Sequence, residues 1–142
     1  RSENVVADYR SLGIPMSRHP LDLLRPRLSE LRIASAAELS GLPDGRIARA
    51  CGLVTHRQRP ETARGVLFVT LEDESGTVNV LVWPKVFERF RSAALGAQLM
   101  TVFGSWQRQE HGGGPVTHLV AARIVDDSAM LGNLLSRSRD FR

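Results

Sequence analysis

The stretch "HRQRPETARG" (56–65) sets Arg57, Arg59 and Arg64 against a single acid, Glu61. Arginine offers a planar fork of donors that suits phosphate oxygens and also stacks on flat rings. Directly after it, "GVLFVTLED" (65–73) and "TVNVLVW" (77–83) alternate with a period of two around the turn "ESG". That period turns Leu67, Val69, Leu71, Val78, Val80 and Val82 to one side of a hairpin and Phe68, Asn79 and Trp83 to the other. Aromatics exposed on such a face stack unpaired bases, each typically for about 1–3 kcal/mol. A second basic stretch, "RQEHGGGP" (108–115), carries Arg108 and His111 beside three glycines that let backbone come close to a ligand. Arginines for phosphates beside aromatics for bases make a site for single-stranded nucleic acid. The competing reading is that the loops are solvated charge. The aromatics would then pack under neighbouring helices or another domain, with Trp83 closing a barrel end.

Other chemistries fail on the residues. The "HGGG" at 111–114 lacks the G-x-S-x-G elbow that acyl transfer would need, and there is no phosphate-binding Walker sequence. One cysteine and four scattered histidines do not build a standard zinc site. Glu72, Asp73 and Glu74 are the one run of acids that could hold Mg²⁺, and turn chemistry accounts for them better. No catalytic residue and no cofactor is therefore expected in this chain.

The elements that must position these residues follow from the same periodicities. "ENVVADYRSLG" (3–13) and "PLDLLRPRLSEL" (20–31) have apolar residues at helical spacing, although Pro26 is expected to break or kink the second. Ser35 and Glu38 form a capping box for a short helix, and "GLPDG" (41–45) is loop. From Arg46 the period becomes two. "RIARACGLVTHRQ" is a first strand with Gly52 at a bulge or bend, and the hairpin supplies the second and third. Pro84 starts one helix, "PKVFERFRSAAL", with Val86, Phe87, Phe90 and Ala94 on one face. Strands over 98–109 and 116–125 follow. The expectation is therefore a mainly β chain: a helical connecting segment (1–45), a five-stranded OB-fold barrel of order β-β-β-α-β-β, partly open, over 46–126, and a basic, mobile tail (127–142) ending in "RSRDFR". Ligands of such barrels bind across strands 2 and 3, between the loops joining strands 1–2 and 4–5.

The 142 residues fit one domain with an appendage and begin with Arg1, which suggests a piece of a longer protein. Formal charge is +4, and Lys85 is the only lysine among 19 basic residues. A genome bias accounts for that ratio, though not for the local clusters. Cys51 stands alone, so no internal disulfide forms, and no apolar run reaches the roughly 20 residues a membrane helix needs. A soluble protein of a reducing, cytoplasmic compartment is expected.

Three stretches carry a resemblance over nearly the whole chain. "LGIPMSRHPLDLLRP", "GRIARACGLVTHRQRPETARGVLFVTLEDESGTVNVLVWPKVFERFR" and "HLVAARIVD", with the terminal "RSRDFR", resemble the C-terminal region of the bacterial error-prone C-family DNA polymerases, paralogues of the replicative DNA polymerase III alpha subunit. The resemblance implies an OB-fold that contacts single-stranded template, in a parent that performs DNA-templated nucleotide addition during damage-induced translesion synthesis, DNA repair and the SOS response. It also implies that the parent's Mg²⁺-binding aspartates lie in a palm domain absent here. Its expected partners are single-stranded DNA, the rest of the polymerase chain and accessory mutagenesis proteins, including a Y-family-like subunit. The last of these raises the alternative of a protein-docking OB module.

Overall fold

The structure is a computed structural model that describes residues 18–140. The helix expected at 3–13 lies outside them. The elements run α1 (Pro20–Glu30), α2 (Ala36–Ser40), β1 (Ile47–Gln58), a 3₁₀ turn at Glu61–Ala63, β2 (Leu67–Asp73), β3 (Gly76–Val82), α3 (Pro84–Arg89), α4 (Arg91–Gly96), β4 (Leu99–His111), β5 (Gly114–Asp126) and α5 (Ala129–Asp140).

The β2–β3 alternation sets the barrel core. Leu67, Val69 and Leu71 face Val82, Val80 and Val78 across the ladder, and all six are buried. Each such side chain stabilises the fold by about 1.5–3 kcal/mol relative to exposure. β1 is long enough to serve two neighbours: it pairs with β4 through Ile47–Leu53 and with β2 through Leu53–Gln58. Gly52 stands where it changes partner, because a Cβ there would lie 2.9 Å from the Glu72 carbonyl oxygen. The bulge itself falls between Val54 and His56. A parallel pairing of β3 with β5 completes the order β1-β2-β3-β5-β4, so the barrel is closed, where the sequence reading expected it partly open.

One helix was expected after Pro84, and two are present. The chain breaks at Phe90 (φ −118°, ψ 35°), while Phe87 and Ala94 both remain buried in the barrel core. Pro26 does not interrupt α1. Leu21, Leu24 and Leu28 are buried on one side, and Pro26 is exposed on the other, where the carbonyl it leaves unpaired faces water. Packing outweighs the local cost.

A second apolar cluster lies outside the barrel, where Leu21, Leu24 and Leu28 of α1 cover Cys51, Leu53 and Leu99. Leu131 of α5 joins it, so the segment expected as a tail after residue 126 is instead a helix whose first turn is packed. Burial pushes the Cys51 thiol up to about 12. Since the folded pKa exceeds that of a free thiol, this contribution to stability is whole below about pH 8.5 and is lost as pH rises toward 12. Native Cys51 is thus expected to resist alkylation at pH 8.5 and to react only on unfolding. Thiol titration with and without urea checks this, and rapid labelling of the native chain would contradict it.

The two N-terminal helices are pinned to the β2–β3 turn by charge. Asp73 Oδ1 accepts from Ser75 N (2.7 Å), Ser75 Oγ (2.8 Å) and Gly76 N (3.1 Å), and its Oδ2 accepts from Ala36 N (2.8 Å) in the first turn of α2. Arg25 of α1 donates from Nε to Glu74 (2.7 Å) and from Nη2 to Asp73 (3.4 Å). Burial disfavours its charge, but the bond and attraction of Glu74, then Asp73, leave its pKa above the ordinary arginine value. The Ser35–Glu38 capping box forms as the sequence implies.

Candidate nucleic-acid interface

Across the outer face of the hairpin, Phe68 lies opposite Leu81 and Thr70 opposite Asn79. Phe68 and Leu81 are half-buried, Asn79 is exposed, and Trp83, the residue before α3, is 52% exposed. β1 extends the surface, with Gln58 beside Phe68 and His56 beside Thr70, and both are exposed. A hairpin read alone hides this third strand, because its register depends on the bulge in β1. The N-terminal helices meet the hairpin at its far corner, around Glu72 and the β2–β3 turn. There His19 Nδ1 accepts from Leu21 N, which leaves the proton on Nε2 to bond Glu72 Oε1 at 3.0 Å.

The two loops sit at opposite ends of β3, about 20 Å apart for its seven residues. At the Trp83 end the 56–65 loop turns through Arg64 (φ 55°) and Gly65 (φ 84°), and Gly65 abuts Pro84. Arg59 is exposed there, its guanidinium carbon 4.3 Å from the centre of the Phe87 ring. Arg64 is also exposed. At the Thr77 end, β4 and β5 meet in a hairpin tighter than expected, with His111 opposite Gly114 and only Gly112 and Gly113 between them. His111 is exposed at that tip.

Two of the expected arginines are committed elsewhere. Arg57 has register partner Val69 and so points with the inward set. Its Nε and Nη2 donate to Ala94 O (2.7 Å) and Ala97 O (2.5 Å), capping the C-terminal end of α4. Burial lowers its pKa, and the charge of Asp126 opposes that. Arg108 donates to Ser40 O (2.8 Å) and Glu110 (2.8 Å), while its amide bonds Asp44, which holds it against the end of α2. The basic edge is therefore Arg59 and Arg64, and His111 marks the opposite end. Arg57→Met is expected to destabilise the chain by about 1.5–3 kcal/mol and to leave the salt dependence of any nucleic-acid binding unchanged. Urea unfolding and a salt titration of the same variant measure the two halves of that statement.

The acids at 72–74 do not form a metal cage. Glu72 meets His19, Glu74 meets Arg25, and Asp73 is filled by turn and helix donors. Among the described residues no helix is long and apolar enough to cross a membrane.

The chain is 52% identical over 139 residues to an error-prone DNA polymerase of Ralstonia nicotianae, covering 98% of this chain and 13% of the relative. To its counterpart in Aromatoleum aromaticum it is 52% identical over 141 residues, covering 99% and 13%. It thus spans about an eighth of the length of these relatives. Asparaginyl-tRNA synthetase from Pyrococcus horikoshii superposes on 66% of this chain and 22% of its own, with a TM-score of 0.53 at 21% identity, which is a likeness of fold. A family described as OB-fold nucleic acid binding domain matches residues 48–126, from the start of β1 to the end of β5. By barrel, register and family match together, the chain belongs to the OB-fold nucleic acid binding domains.

Proposed function

We propose that this chain is the single-stranded-DNA-binding module of an error-prone, translesion DNA polymerase of the bacterial cytoplasm, and that it takes no part in the chemistry of nucleotide addition. The observation that carries the reading is the open outer face of β2 and β3. Half-buried Phe68 and exposed Asn79 and Trp83 lie along it, with Arg59 and Arg64 at one end. Bases of a single strand stack on the aromatics, Asn79 offers a hydrogen-bonding amide between them, and the two arginines take phosphates. Duplex DNA binds less well, because its bases are already stacked on one another.

Two-metal phosphoryl transfer needs clustered carboxylates, and those here are filled. The 142-residue chain alone is expected to leave a primer unextended in Mg²⁺ with all four deoxynucleotides. Extension by the pure chain would contradict this.

Titrating labelled oligo-dT at several salt concentrations tests the binding reading. Phe68→Ala or Trp83→Ala is expected to weaken binding by about 1–3 kcal/mol, nearly independently of salt. Arg59→Gln with Arg64→Gln is expected to flatten the salt dependence by about 0.7 per lost contact. If both classes of variant bind like wild type at low salt, the face does not bind DNA, and docking of accessory mutagenesis proteins becomes its function.

A further inference from the structure

The outer surface of the barrel does not end at β3. Outward residues follow one another around it through the ladders: Phe68 to Leu81, Leu81 to Val120, Val120 to Ser105, and Ser105 to Ile47, which is 81% exposed. One step along β4 from Ser105 on the same face lies Phe103, paired with Arg49 on β1 and Arg123 on β5. The two guanidinium carbons are 5.2 and 4.8 Å from the centre of its ring.

A bulge makes this cluster possible. Leu119, Ala121 and Ile124 are all buried in the barrel core, so an unbroken alternation would turn residue 123 inward. The register shifts between Phe103 and Gly104, Ala122 is the extra residue, and Arg123 is thereby turned outward. Among the described residues neither Arg49 nor Arg123 has a carboxylate within ion-pair distance, and the nearby Asp126 and Asp127 bond Ser128 and Thr101. Arg49 spends one Nη1 bond on Leu31 O. Two like charges are thus held beside one ring, within a Debye length of each other, with donors left over.

We infer that Arg49 and Arg123, both set against the Phe103 ring, are a second phosphate-binding site, which takes the backbone of a nucleic acid strand that continues around the barrel past β3. The route between the two sites rests on the reading of the hairpin face given above. The arginine pair itself does not.

The test uses oligo-dT of about 6 and about 20 nucleotides, within and beyond the reach of one OB-fold face. Arg49→Gln with Arg123→Gln is expected to bind the short strand like wild type. It should bind the long one roughly tenfold more weakly at low salt, with a salt slope shallower by about 1.4 for two lost contacts. Arg49→Lys with Arg123→Lys keeps the charges but loses the planar guanidinium against the ring, so it should retain the slope even if its melting temperature falls. Unchanged binding of both lengths by the Gln pair overturns the inference. So does equal loss on both lengths where a Phe68→Ala/Trp83→Ala variant is weakened as well, or the same loss in the Lys pair, since either makes the arginines structural. A Phe68→Ala/Trp83→Ala variant is titrated alongside. If it binds like wild type while the Gln pair loses slope, the hairpin reading fails and the arginine site stands.

Discussion

Gly104→Ala is expected to destabilise the chain by about 3 kcal/mol or more, out of the roughly 5–15 kcal/mol that holds a domain of this size together. The added Cβ would stand 2.0 Å from the Val120 carbonyl oxygen and 3.2 Å from the Ala121 Cα. Both are backbone atoms of the neighbouring strand, so no rotamer change relieves the overlap. Relief requires β5 to move away from β4, and β5 also closes the barrel against β3 through Val80 and Leu81. A fall in melting temperature of about 10 °C is the corresponding thermal effect. A melt within two or three degrees of wild type would show that the bulge yields more easily than its geometry implies. The same variant should disturb the outward setting of Arg123, and with it the binding of long strands, before that of short ones.

Asp73→Ala is expected to cost about 3 kcal/mol, seen as a lower urea midpoint at unchanged slope. Asp73 is 5% exposed, and its carboxylate accepts from three backbone amides and a hydroxyl, besides its contact with Arg25. Removing it leaves the buried Ala36 amide unpaired and opens the turn that sets the hairpin's register. Asp73→Asn should do little better, because an amide turns a donor toward groups that are themselves donors. Glu74→Gln gives the contrast. Arg25 retains Asp73 and the Ile33 carbonyl there, so the loss should be under about 1 kcal/mol. Equal effects at the two positions would mean that the turn network contributes little and that α1 is held by its leucines alone.

The elements that the sequence made legible are those written in short-range pattern. The alternation of 67–83 puts six apolar residues on one side, and no register that buries them leaves Phe68 and Asn79 inside. Pro84 starts a helix because its fixed φ suits the first turn, and Ser35 with Glu38 caps one by satisfying two amides. The misreadings occur where a distant partner outweighs the local rule. Pro26 stays within α1 because three leucines of that helix are buried against β1 and β4. The 127–142 segment reads as a tail because only Leu99 and its neighbours across the barrel give Leu131 somewhere to pack.

Of the candidate site, the residue types were visible and their commitments were not. Arg57 and Arg59 are two positions apart and equivalent as letters, yet one caps α4 and the other lies over Phe87 at the open edge. The carbonyls that claim Arg57 are 37 and 40 residues away. Arg49, Phe103 and Arg123 escaped notice for the same reason. They belong to three strands, and a single extra residue in β5 decides which way Arg123 faces. Gly104 was the one local sign of it, since a glycine inside a strand marks a close approach of backbone. The sequence by itself determined the succession of strands along the chain, the buried face of the hairpin and the concentration of arginine, because alternation and composition act within a few residues of chain. The tertiary structure alone decided which arginines remain available to a ligand, because a guanidinium is held or released by carbonyls and rings that only the closed barrel brings within reach.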